Sequence, residues 1–384
     1  MNVASIDPLV VNVSPKTNWT FVAVTTSDGT TGWGECSLNG WEPLLVAQAQ
    51  ILARELAGRT QDEAQALVRY VPHIPGGLVT HAVRSAIEQA LTDVRARERG
   101  VAIASMLGAK RDRVPAYANI NRGVRERSPA GFEQAARRAV EAGYRAVKLA
   151  PFDGVISQDA ATTPIDARIR DGIDRVLAVR DAVGAAVDVM VDCHWRFDAA
   201  RAEALLLDLE PARPYWVECM TTEHPDGWAD IARLTRIARD RGMRTAGGET
   251  IGGADAARAM CKAGLYDALM PDIKYCGGYG GMLAIARACD DHGVSVAPHN
   301  PTGPIAHVAS VQACAALPSL LWLEHQWNES PLFDALAGPM PPLAGGAFAV
   351  PATPGLGAAV DRAAASLHPG IALDRSANLD ERLG

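Results

Sequence analysis

Residues 187–194 read Val-Asp-Val-Met-Val-Asp-Cys-His. Four of the first five are apolar, so the run has no wet face, and it stops abruptly at Asp192 and His194. A strand buried on both faces belongs in a parallel sheet covered by helices. The same pattern recurs on either side. Apolar runs at 116–120, 146–149, 187–191, 215–217, 245–247, 268–270, 294–297 and 320–323 alternate with helical stretches at 129–142, 169–183, 199–209, 226–241, 253–263, 278–292 and 306–316. Eight such runs predict an α/β fold closed into a (β/α)8 TIM-type barrel, with its active site at the C-terminal ends of the strands. An open doubly wound sheet is the alternative, but no GxGxxG follows the first run.

Outside this alternation the chain changes character. Residues 20–26 (TFVAVTT) are rich in β-branched side chains, Ser27-Asp28-Gly29 supplies a turn, and 30–35 returns as a second strand. From Glu42 to about Leu107 the pattern is helical, clearest at 81–91. Beyond Asn328 the chain turns rich in Pro and Gly. The expected division is an N-terminal region at 1–112, a barrel at 113–327 and a tail at 328–384. The tail has too few apolar residues for a core of its own, so it is expected to pack back on the first region.

Composition narrows the function. The chain has 384 residues, with 37 Lys plus Arg against 44 Asp plus Glu and a net charge of −7, which favours no nucleic-acid partner. No apolar run approaches the ~18 residues of a membrane span, and the N-terminus does not read as a signal peptide. The seven cysteines are scattered with no CxxC pair, which fits neither a disulfide framework nor a zinc knuckle. A cytoplasmic enzyme is the expectation.

A barrel predicts that polar residues of consequence follow each apolar run, and they do. Lys148 lies on the second run, Asp192 and His194 close the third, Glu218 the fourth and Glu249 the fifth. Asp272, His299 and Glu324 close the sixth, seventh and eighth. Asp192, Glu218 and Glu249, on consecutive strands, would converge on one point. Three like charges together require a cation, and an all-oxygen donor set suits Mg²⁺ better than Zn²⁺. By strand alternation Asp192 and His194 face the same side, as do Asp272 and Lys274; Lys274 is read as structural.

In this order the strand ends, with Gly32-Trp33-Gly34-Glu35, Pro271-Asp272, Gly277-Gly278 and the tail motif Pro351-Ala-Thr-Pro-Gly355-Leu-Gly357, resemble the enolase superfamily, mandelate racemase subgroup. The resemblance covers nearly the whole chain. It implies a modified barrel, (β/α)7β, with one strand–helix unit reversed. It also implies a capping domain built from the N-terminal region and the tail, one Mg²⁺ per subunit, a homo-oligomer, and abstraction of a proton α to a carboxylate. It makes His299 and Asp272 a base dyad and Glu324 a protonated electrophile. Racemases of the subgroup carry a second base as the last residue of Lys-x-Lys; here the segment is Lys148-Leu149-Ala150, so a two-base proton transfer loses its partner. Asp192-Cys193-His194 resembles the arrangement in aldonate dehydratases, where His194 would protonate a departing β-hydroxyl.

Substrate contacts are expected from Trp19, Asn39, Trp41 and Glu42 in two loops over the barrel mouth, from Asn119, Asn121 and Arg122 after the first barrel strand, and from Arg196. Residues 152–169 are long enough for an added lid. The reading is a Mg²⁺-dependent dehydratase that turns a small-molecule sugar acid into a 2-keto-3-deoxy acid. An epimerase, racemase or cycloisomerase using the same enediolate is the alternative. A metal-dependent hydrolase and a non-catalytic binding protein are more distant ones.

Overall fold

Eight short strands run parallel around one axis in the computed structural model, which describes residues 1–155 and 165–373. The first three strands of the chain lie outside this ring. β1 (Val3–Ser14), β2 (Thr17–Thr26) and β3 (Thr31–Glu35) form an antiparallel sheet. Helices α1 (Glu42–Leu56), α2 (Gln61–Val68) and α3 (Gly77–Glu98) follow. β1 was not foreseen, although its Leu9-Val10-Val11 has strand composition. The two glycines of Gly32-Trp33-Gly34 explain how tightly α3 lies on β3. A Cβ on either would come within 2.1 Å of the carbonyl oxygens of Ala90 and Ala86.

A short helix, α4 (Ile103–Met106), leads into the ring. In chain order come β4 (Arg113–Asn119), α5 (Pro129–Glu141), β5 (Ala146–Leu149), α6 (Ile165–Val183), β6 (Asp188–Asp192), α7 (Ala199–Asp208), β7 (Trp216–Glu218) and α8 (Trp228–Asp240). Then follow β8 (Arg244–Gly247), α9 (Gly253–Lys262), β9 (Ala268–Leu269), α10 (Gly278–Asp290), β10 (Ser295–Val296), α11 (Pro304–Cys314), β11 (Leu323–Gln326) and α12 (Leu332–Ala337). Neighbours β4 to β10 pair in order, and β11 pairs with β4 from Leu323↔Ala116 to Gln326↔Asn119. A bridge from Val296 to Leu320, with the Leu321 N–H on the Val296 carbonyl at 2.9 Å, closes the last gap.

Every pairing within the ring is parallel, so the reversed strand–helix unit implied by the resemblance is not found among the described residues. The eighth helix is only the six-residue α12, which makes the barrel (β/α)7β. The eighth strand lies three residues later than expected, so Glu324 sits within it rather than past it.

Local signals set the helix starts. Ser128 caps α5, accepting the Gly131 N–H at 3.2 Å with Pro129 behind it, and Asp198 caps α7 through the Arg201 N–H at 2.8 Å. Side chains plug the barrel interior: Tyr117, Met190, Trp216 and Met270 pack with the alanines 146, 246, 268 and 297. Tyr117 meets Trp216 edge-on at 5.5 Å. This filled axis leaves the C-terminal rim as the place for chemistry.

The C-terminal stretch ties the parts together. β12 (Leu343–Ala344) and β13 (Ala347–Ala349) form a hairpin whose second strand runs antiparallel to the start of β4. Farther on, the Leu356 N–H donates to Asp93 of α3 at 2.7 Å. After α13 (Arg362–Ser366) the chain lies along β1, with the Asn12 N–H on His368 O at 2.9 Å and the Gly370 N–H on Val10 O at 3.1 Å. Of the lid expected at 152–169, residues 156–164 lie outside the described residues, and Ile165 to Ile169 are the start of α6. No helix among the described residues is long and apolar enough to cross a membrane.

Candidate active site

Parallel strands in register bring their last residues level, and Asp192 of β6 pairs directly with Glu218 of β7. Glu249 follows β8. One carboxylate oxygen from each of Asp192, Glu218 and Glu249 lies within 4.8 Å of the others, and all three residues are buried. Lys148 on β5 enters the cluster from the side. Its Nζ is 2.6 Å from Glu218 Oε1, 2.9 Å from Glu324 Oε1 and 3.8 Å from Asp192 Oδ2. The Trp216 indole N–H donates to the second oxygen of Glu218.

The second half of the site is a dyad. His299 Nδ1 lies 2.8 Å from Asp272 Oδ2, and its Nε2 lies 3.5 Å from Glu249 Oε2. A carboxylate only accepts, so Nδ1 carries the proton and the lone pair lies on Nε2. Asp272 also takes the Lys274 backbone N–H at 2.8 Å and the Lys274 ammonium at 3.0 Å. Lys274 thus buttresses the dyad.

His194 reaches the cluster by a different route from the one expected. β6 ends at Asp192, so strand alternation does not extend to His194. Instead His194 and Trp195 adopt left-handed backbone, with φ of 48° and 56°. The His194 N–H bonds Asp192 Oδ1 at 2.9 Å, and the turn carries the ring back until Nε2 is 2.9 Å from Asp192 Oδ2. Such backbone is uncommon in non-glycine residues.

Burial and charge set the protonation states. Burial opposes charge on Lys148, but Glu218 and then Glu324 overcome it and hold the ammonium well above its usual range. Burial pushes Glu218 up, though Lys148 pulls it down. Burial and then the Asp192 charge push Glu249 up to about 8. Asp192 goes the other way: burial resists, but the charge of His194 and its hydrogen bond keep the carboxyl low. Burial opposes protonation of His194, and Asp192 reverses that, raising it. Burial pushes Asp272 up, but the Lys274 ammonium together with the hydrogen bond and charge of His299 keeps the carboxyl low.

Glu324 is surrounded by donors. It accepts Asn119 Nδ2 at 2.6 Å, the Asn300 N–H at 2.9 Å and the Lys148 ammonium. Against burial, Lys148 first and then His299 hold its pKa down. Asn119, expected as a substrate contact, is the last residue of β4 and orients Glu324.

The proposed substrate contacts fare unevenly. Trp19 is not in a loop. It lies within β2, is 1% exposed, and packs edge-on against Phe21 and Phe333, so it is a core residue. Trp41 is the 39%-exposed N-cap of α1, and Glu42 is the first residue of that helix, not of a loop. Asn39 Oδ1 accepts the Asn18 N–H at 3.3 Å. Asn121 Oδ1 accepts Arg127 Nη1 at 2.8 Å, and Arg122 pairs with Glu329 at 3.2 Å. Arg196 is buried, its Nη1 donating to Val155 O at 3.1 Å. Asn300 and Trp216 were missed; Trp216 was legible as the residue two before Glu218 on one strand face.

The donor set fits a hard divalent cation. Glu249 Oε1 is fully buried with no hydrogen-bond partner, an arrangement that a bound cation would complete.

A closed parallel barrel with an acidic trio facing a His–Asp dyad is the frame of a family of barrel enzymes, and the comparisons agree. Residues 131–364 match the family described as Enolase C-terminal domain-like. Residues 3–108 match the mandelate racemase / muconate lactonizing enzyme N-terminal domain. The chain belongs to this family. Curated relatives include D-gluconate dehydratase of Thermoproteus tenax, 33% identical over 88% of this chain and 67% of that protein. D-galactonate dehydratase of Verminephrobacter eiseniae is 30% identical over 90% and 89%. Among solved structures, a mandelate racemase/muconate lactonizing enzyme from Jannaschia sp. CCS1 superposes with a TM-score of 0.85 at 26% identity, covering 97% of this chain and 98% of that one.

Proposed function

We propose that this chain is a hydro-lyase that removes water from a sugar acid to give a 2-keto-3-deoxy acid. The observation that carries the reading is the pair of imidazoles, each meeting a different carboxylate of the trio: His299 at Glu249 and His194 at Asp192. One is built as a base and the other as an acid. His299 Nε2 takes the proton α to the substrate carboxylate, while Asp272 fixes the ring and stabilises the imidazolium. His194, held protonated by Asp192, gives its proton to the β-hydroxyl, which leaves as water. The resulting enol then tautomerises to the 2-keto acid. Lys148 and its partners set the charge beneath the reacting carboxylate. Bound Mg²⁺, one per subunit on Asp192, Glu218 and Glu249, would supply Lewis-acid stabilisation of charge developing on that carboxylate.

The named activities of the relatives support the substrate class. Ala150 ends the Lys148 motif in a methyl group, which supports a one-base elimination over racemisation. The same reading makes the protein a cytoplasmic homo-oligomer. The test is incubation with gluconate, galactonate, xylonate and related acids plus Mg²⁺ in D₂O. The expected result is 2-keto acid formation. Deuterium at the α-carbon without keto acid would overturn the reading in favour of an epimerase or racemase.

A further inference from the structure

The carboxylate of Glu35, on the last residue of β3, lies fully buried against a different part of the fold. Its Oε1 accepts the Thr302 hydroxyl at 2.7 Å, the Gly303 N–H at 2.8 Å and the Ser37 hydroxyl at 2.7 Å. Its Oε2 accepts the Ala306 N–H at 2.9 Å. Three of these four donors belong to the segment that runs from His299 into α11. That helix has no side-chain cap of its own: Gly303 stands at the N-cap and Pro304 follows. Glu35 supplies the missing acceptor from 271 residues away and places a negative charge at the positive end of the helix. Gly303 is needed for this approach. A Cβ there would come 2.9 Å from Glu35 Oε1 and 2.8 Å from the Trp19 ring.

A neighbouring residue does the same for the other half of the dyad. Gln89 of α3 accepts the Glu35 N–H through Oε1 at 3.2 Å. Its Nε2 lies 3.3 Å from both Glu35 O and Ile273 O, and Ile273 is next to Asp272. The strand carrying Glu35 is therefore clamped to both segments that carry His299 and Asp272.

We infer that Glu35 is a positioning residue for the base: it holds residues 299–306 so that His299 stays in register with Asp272. The inference rests on the proposed role of His299 as base. A displacement of about 1 Å in a reacting group can cost on the order of 100-fold in rate, so loosening this segment lowers turnover and leaves ligand binding by β6 to β8 intact.

The test compares wild type with Glu35→Gln, Thr302→Val and Thr302→Ser, all Mg²⁺-loaded. Glutamine must aim an NH₂ at other donors, valine removes the hydroxyl without changing size, and serine restores it. Glu35→Gln and Thr302→Val are expected to lower kcat by about 10- to 100-fold with KM within about twofold, while Thr302→Ser stays near wild type. Amide exchange in peptide 299–310 should accelerate at least about tenfold in the two impaired variants, with the peptides of β6 to β8 unchanged. Wild-type kcat in both would overturn the inference, as would unchanged exchange in 299–310. If Glu35→Gln fails to fold, the valine and serine pair decides. If wild type turns over no sugar acid, the proposed function fails, and the exchange measurement alone still decides whether Glu35 orders the segment.

Discussion

His299 Nδ1 lies 2.8 Å from Asp272 Oδ2 across the ends of neighbouring strands, and this contact orients the imidazole that the proposed mechanism uses as base. Replacing His299 with Asn keeps a polar group of similar reach but removes the proton acceptor. Keto acid formation is expected to fall by about 10²- to 10⁴-fold, with thermal stability within a degree or two of wild type. Steady-state kinetics beside a melting curve checks both.

The proposed mechanism gives His194 the leaving group, so its removal should separate the two half-reactions. In His194→Asn, α-deuterium incorporation from D₂O is expected to persist while keto acid formation drops by about 100-fold or more. Loss of both signals together would remove His194 from the acid role.

Burial and the Asp192 charge raise Glu249 to about 8, so above that pH it adds a negative charge beside Asp192 and Glu218. At pH 9 Glu249→Gln relieves that repulsion, so the chelator-treated variant should melt about 1–3 °C above chelator-treated wild type, a gap that closes by pH 7. Saturating Mg²⁺ raises the melting point of wild type through linkage, and this rise should vanish in the variant. Differential scanning fluorimetry with and without Mg²⁺ reads both outcomes.

Lys148 neutralises Glu218 and Glu324 where neither reaches water. Lys148→Met leaves both carboxylates without their counter-ion. The expected cost is about 3–5 kcal/mol in chelator-treated protein, measured by urea unfolding.

Glu88 of α3 accepts the Tyr279 N–H at 2.8 Å and the Gly280 N–H at 3.3 Å, at the start of α10. Burial nonetheless pushes its carboxyl up to about 7 from 4.5. Between those values the folded chain keeps a proton that the unfolded chain has lost, so stability falls as pH rises through this window. Glu88→Gln removes that slope. From pH 5 to pH 8 the variant should gain on the order of 2–3 kcal/mol relative to wild type in denaturant titrations.

Much of the fold was legible because parallel strands buried on both faces carry an unmistakable composition. The run at 146–149 coincides with β5, and Asp192, Glu218 and Glu249 follow their runs as a barrel requires. Trp19 shows the limit. An indole can cover a substrate or fill a core, and only the packing of Phe333 against it decides. β11 was displaced by three residues because Leu320-Leu321-Trp322 is as apolar as the strand that follows.

What the sequence determined by itself is the alternation of apolar runs and helices and the residues that end each run. These follow from local periodicity and from the rule that buried strands shed polar groups only at their ends. The tertiary structure alone decided the ring of donors around Glu324, the left-handed turn that returns His194 to Asp192, and the reach of Glu35 into the His299 segment. Each depends on donors or backbone brought together from distant positions: Lys148, Asn119 and Asn300 around Glu324, and Thr302, Gly303 and Ala306 around Glu35. Hydrogen bonds and Coulomb forces act over ångströms in space, and no spacing along the chain encodes them.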